Sequence, residues 1–164
     1  MTVPLTLQEL WLGFREHGHT PVIIATGRDG AVRLSFADVF GASRQLAKDI
    51  ISRGLKRGSV ISIMAANSPA WIEAFFGIVA AGGVAMPIDV QISDEDLQRM
   101  LVIGECRLVI SEAPEIERLQ GLVPMCEALD IDASAITPEE LEPFDTASLA
   151  RSDPGNIAIL TKKS

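Results

Sequence analysis

Long uninterrupted apolar runs are missing from this chain, and so are basic clusters, cysteine arrays and the usual glycine-rich nucleotide signatures. The most apolar stretch, Gly58 to Ile88, carries one charge, Glu73, but is broken by Asn67-Ser68-Pro69, Gly82-Gly83 and Pro87. A membrane-spanning helix needs about 20 continuous apolar residues, so these breaks exclude a membrane span. A buried strand, a buried helix and a second buried strand account for the same letters, because both faces of a parallel sheet are covered. With no Lys/Arg cluster to meet a phosphate backbone, nucleic acid is excluded as a partner. The net charge of −8 is unevenly spread: Met1 to Ser111 holds 10 basic and 11 acidic residues, whereas Glu112 to Asp153 holds 2 and 11. That late acidity reads as a solvated face near loops.

Cys106 and Cys126 are the only cysteines, and neither belongs to a C-x-x-C pair or a Cys/His array. The N-terminus lacks a basic region followed by an apolar one, so nothing directs the chain to an oxidising compartment. Reduced thiols and a cytoplasmic location are the expectation. His17 and His19 are two residues apart, on different sides of a helix and without a third ligand, which argues against a metal site. Neither G-x-G-x-x-G nor G-x-x-x-x-G-K-[ST] occurs.

What is present is a chain built to fold. Its 164 residues, 48% apolar and 22% charged, suffice for one core without a disulfide or a structural metal. Thr6 with Glu9 three residues on forms a capping box before a helix whose stripe is Leu10, Trp11 and Phe14. Val22-Ile23-Ile24 reads as a strand, Arg28-Asp29-Gly30-Ala31 as a hairpin turn and Val32 to Leu34 as the returning strand. Ser35 caps a helix with Phe36, Val39, Phe40, Leu46, Ala47, Ile50 and Ile51 on one face, Asp38 in its first turn and Gly54 past its end. Gly41 inside that helix points to close approach by a neighbour.

Ser59 to Ala65 then reads as a strand. Ser68-Pro69 starts a helix with Glu73 near its positive end, and its apolar residues cover most of the circumference. Val84 to Ile88 is the next strand, Ser93 with Asp94-Glu95-Asp96 opens a further helix, and Arg107 to Ile110 is another strand. Alternation of strand and helix with short connections is the βαβ pattern. The predicted fold is α/β: an open, mostly parallel doubly wound sheet with helices on both faces, plus a small N-terminal hairpin. One domain spans 1–164, with a less regular acidic segment over 112–153, where Pro114, Pro124, Pro138 and Pro143 break long elements. Short helices after Pro114 and Thr137-Pro138, a segment around Met125 to Leu129, a turn at Asp153-Pro154-Gly155 and a strand from Asn156 to Thr161 complete the reading.

Arg53-Gly54-Leu55, Arg57-Gly58-Ser59, Asn67-Ser68-Pro69, Ala81-Gly82 and Pro87-Ile88 occur in an order that resembles the N-terminal part of AMP-forming acyl-CoA synthetases. Peptide-synthetase adenylation domains and luciferases are relatives of that family. Asp153 to Leu160 resembles the strand that delivers the family's phosphate-gripping loop. Where that loop would begin, the chain has Thr161-Lys162-Lys163-Ser164, and this lysine pair alone forms no phosphate cradle. The resemblance implies, for the full-length family, ATP, magnesium and coenzyme A as cofactors and a carboxylate activated as an acyl adenylate before thioester formation. For this chain it implies a truncated structural portion, inactive by itself, whose partner is the remaining catalytic subdomain, with self-association possible.

No catalytic, cofactor-binding or metal-binding residue is assigned. Asp94, Glu95 and Asp96 read as first-turn helix charges, and Asp130 with Asp132 carries no catalytic weight. An alternative of a different class is a stand-alone α/β binding or regulatory module. Its ligand would sit at strand carboxyl ends, at Ala66-Asn67-Ser68 and Asp89. Helix capping explains Asn67-Ser68 without any ligand.

Overall fold

Ile61, Ile63 and Ala65 enter one hydrophobic core while Met64, between them in sequence, enters another, and this period-two alternation organises the molecule. The computed structural model describes residues 6–27 and 30–132. The elements run α1 (Leu7–His17), β1 (Pro21–Gly27), β2 (Gly30–Ser35), α2 (Phe36–Ser52), β3 (Val60–Met64) and α3 (Pro69–Ala80). They continue with β4 (Val84–Pro87), α4 (Asp94–Ile103), β5 (Leu108–Ser111), α5 (Ala113–Leu122) and β6 (Glu127–Asp130).

β1 and β2 pair antiparallel as the expected hairpin, in a register that sets Ile23 against Leu34 and Ala25 against Val32. The other four strands form a parallel sheet in the order β4-β3-β5-β6. The expected α/β architecture is therefore present. On one face, Leu108 and Ile110 join Ile61, Ile63 and Ala85 beneath α1, α2 and α3. On the other, Val109 and Met86 join Met64 beneath Leu97 and Leu101 of α4 and Leu119 of α5. Each large aliphatic side chain fully buried this way contributes about 1.5–3 kcal/mol.

Local signals set the helix starts. Thr6 and Glu9 form the expected capping box, with bonds of 3.0 and 3.1 Å, and Ser35 with Asp38 forms another. Ser68 accepts from Trp71 N at 3.2 Å, with Pro69 in the first turn. Gly54, at φ +77°, takes the left-handed position past α2.

Two expectations change. Glu73 lies beyond the first turn of α3, so it is not a charge complementing the helix dipole there. The helix expected after Pro114 is present as α5, with Pro114 in its first turn and a length of ten residues. The segment around Met125 to Leu129 is a parallel strand, β6, so the acidic region stays regular as far as Asp130. Arg28-Asp29 and the readings at Thr137-Pro138, 153–155, 156–161 and 162–163 lie outside the described residues.

Candidate functional site

From β3 the chain moves through α3 to β4 on one side, then through α4 to β5 on the other side of β3. Strand direction of travel thus reverses between β3 and β5. In open α/β sheets ligands bind outside the carboxyl ends of the strands at such a point. Here it is formed by residues 65–68 after β3 and by Ser111 and Glu112 at the end of β5.

Those groups are engaged with one another. The Ala66 amide donates to Oε1 of Glu112 at 3.1 Å, and the Ser111 hydroxyl donates to the Met64 carbonyl oxygen at 2.5 Å. Ser68 is occupied in capping α3. A phosphate approaching Ala66 would meet a carboxylate already holding the amide. Two unit charges 4 Å apart interact by about 4 kcal/mol at an effective dielectric of 20. A bare phosphate is therefore disfavoured beside Ala66.

Asp89, the second strand-end candidate, accepts from Gln91 N at 2.8 Å and so shapes the turn after β4. It borders a cavity of about 340 Å³ with Ser93, Asp96 and Met100. A second cavity, about 360 Å³ and mostly apolar, lies between Ile23 and Ala25 of the hairpin and Pro69, Trp71 and Ile72 of α3. Asp94 pairs with Arg118, Glu95 and Asp96 with Arg99, and the Asp130 carboxylate accepts from Asp132 N. These acids serve local structure. His17 and His19 are exposed, and His17 lies 4.8 Å from the Phe36 ring. Among the described residues no three His, Cys, Asp or Glu gather in a way that could hold a metal.

Sequence reasoning missed Glu112. It occupies an N-cap position, where Ser, Thr, Asp and Asn prevail, and only the structure shows that it makes no side-chain cap bond. Its carboxylate reaches across the sheet instead. Glu73 was also misjudged. Burial, and secondarily the Asp38 charge, push its carboxyl up to about 7.

The profile of the family described as AMP-binding enzyme matches residues 13–161. The chain belongs to that family. Bacitracin synthase 3 of Bacillus licheniformis is 27% identical over 134 residues, 82% of this chain and 2% of the relative. A 4-coumarate-CoA ligase 1 of Narcissus pseudonarcissus is 24% identical over 135 residues, 77% of this chain and 25% of the relative. Among solved structures, McyG A-PCP complexed with phenylalanyl-adenylate superimposes with a TM-score of 0.78 at 19% identity, covering 97% of this chain and 26% of that one. A fatty acid AMP ligase from Legionella pneumophila gives 0.70 at 16% identity, covering 79% and 24%. The chain thus spans a quarter or less of these curated relatives. The family contains adenylate-forming synthetases and ligases. Among the described residues no helix is long and apolar enough to cross a membrane.

Proposed function

We propose that residues 6–132 form the structural layer of an acyl-CoA synthetase-like enzyme, one that activates a carboxylic acid with ATP as an acyl adenylate and passes it to coenzyme A. The family match over residues 13–161 carries the reading. The plant coenzyme A ligase among the relatives supports a thioester product. ATP, magnesium and coenzyme A would be held by the remaining catalytic subdomain, for which this layer is the packing partner.

The engagement of Glu112 with Ala66 supports a structural rather than catalytic role for the strand ends. Both sheet faces are already covered, so docking would use side chains left outside the two cores. Ile24 and Val32 on the hairpin, and Val102 and Ile103 at the end of α4, are 53–76% exposed. Without the catalytic subdomain the same side chains would favour self-association. ATP–pyrophosphate exchange with a panel of carboxylic and amino acids tests the reading. No exchange above background is expected from this chain alone, and acid-dependent exchange would overturn its structural role.

A further inference from the structure

Cys106 and Cys126 lie away from the strand-end site, at the amino-terminal ends of β5 and β6. Cys106 comes two residues before β5, and Cys126 directly precedes β6. Leu108 pairs with Glu127, whose amide donates to the Arg107 carbonyl at 3.1 Å, so Cys126 sits beside Arg107 and one step from Cys106. A disulfide needs Cα atoms about 4.4–6.8 Å apart and side chains turned toward each other. The Cys126 thiol lies 3.4 Å from the carbonyl oxygen of Cys106, and both side chains belong to the second core. Both are free thiols.

Their environments differ. Cys106 is buried, its sulfur 3.2 Å from the Leu108 carbonyl oxygen. Its interaction with Cys126, then burial, push its thiol well up. Cys126 is half-buried and reachable from solvent. The Cys106 thiol, as a hydrogen-bond donor, lowers Cys126, assisted by Arg107 and opposed by burial and Glu127. Cys126 is thus the first to ionise and the first to be met, while Cys106 waits behind it. An accessible thiolate beside a second cysteine is the arrangement that oxidises reversibly.

We propose that Cys126 and Cys106 form a peroxide-responsive dithiol that closes into a disulfide joining the start of β6 to the start of β5. The Cys126 thiolate attacks one peroxide oxygen, the O–O bond breaks, and the departing hydroxide takes a proton to leave as water. Cys126 is then a sulfenic acid. The Cys106 sulfur attacks the Cys126 sulfur, the S–O bond breaks, and the leaving hydroxide takes the Cys106 proton as a second water. Two thiols lose two electrons and hydrogen peroxide gains them. The bond closes the segment holding α5 into a loop, which restricts the unfolded chain.

The test uses the reduced protein, freed of reductant and treated with hydrogen peroxide, with thiol titration, intact mass and peptide mapping as readouts. Both thiols should vanish together, the mass should fall by two hydrogen atoms, peptides holding Cys106 and Cys126 should be linked, and dithiothreitol should restore both. Cys106→Ser should trap a dimedone-reactive sulfenic acid at Cys126, while Cys126→Ser should leave Cys106 unreacted. Oxygen addition at Cys126 without a bridge in the unsubstituted protein, oxidation of Cys106 first, or survival of both thiols would overturn the proposal. Mapping of the unsubstituted protein decides the matter even if a variant fails to fold.

Discussion

The indole nitrogen of Trp11, in a side chain with no solvent exposure, donates to the Ser43 hydroxyl at 2.7 Å, and Ser43 in turn donates to the Val39 carbonyl oxygen at 2.6 Å. Removing the acceptor leaves a buried donor unpaired. Ser43→Ala should therefore destabilise the fold by about 1–3 kcal/mol, read as a lower urea midpoint with an unchanged slope. Glu73 makes a prediction of opposite character. Its folded value of about 7 lies above the ordinary 4.5, so the folded state holds this proton more tightly than the unfolded chain does. The stability it contributes is complete below about pH 4.5 and is lost as pH rises through 7. Glu73→Gln should flatten that part of the pH–stability profile, and a profile with the same slope in both proteins would contradict the assignment. The caps at Thr6, Ser35, Ser68 and Ser93 were legible because each bond closes within three residues. Glu112 with Ala66, 46 residues apart, and Trp11 with Ser43, 32 apart, leave no such local trace.

At the level of elements, α2 and α3 meet where Gly77 has no side chain. A Cβ there would fall 2.7–2.9 Å from Cδ2, Cβ and Cγ of Leu46, too close for any rotation of the leucine tip to relieve fully. Alanine is favoured over glycine in a helix by about 1 kcal/mol, but overpacking costs about 1–3. Gly77→Ala should thus lose up to about 2 kcal/mol, and thermal unfolding with and without Leu46→Ala should show the loss shrinking in the double variant. The sequence suggested a close approach in α2 at Gly41, and Gly41 is buried; Gly77 of α3 is a position where a side chain has no room. Strands β3, β4 and β5 were legible because burial on both faces requires continuous apolar letters. β6 reads Glu-Ala-Leu-Asp, four residues long and outermost among the described strands, and its pairing with β5 makes it a strand. Its placement is reinforced from α2: Arg53 reaches Glu127 at 3.1 Å while pairing with Asp49 at the same distance.

For the whole molecule, two cores on either side of one parallel sheet account for the burial, and the apolar side chains outside them carry the proposed association. Light scattering across concentrations should show weight-average mass rising above 17.6 kDa. A constant monomer mass would contradict a sticky docking surface. Fold class was legible from alternation of strand and helix, whereas the engaged strand ends were not, because they depend on which strands become neighbours. The central claim is that this layer supports nucleotide chemistry performed by other residues. Calorimetric titration of the purified protein with magnesium-ATP tests it most directly. The account predicts only heats of dilution; saturable binding at one site per chain, abolished by substitution at the strand ends, would contradict it.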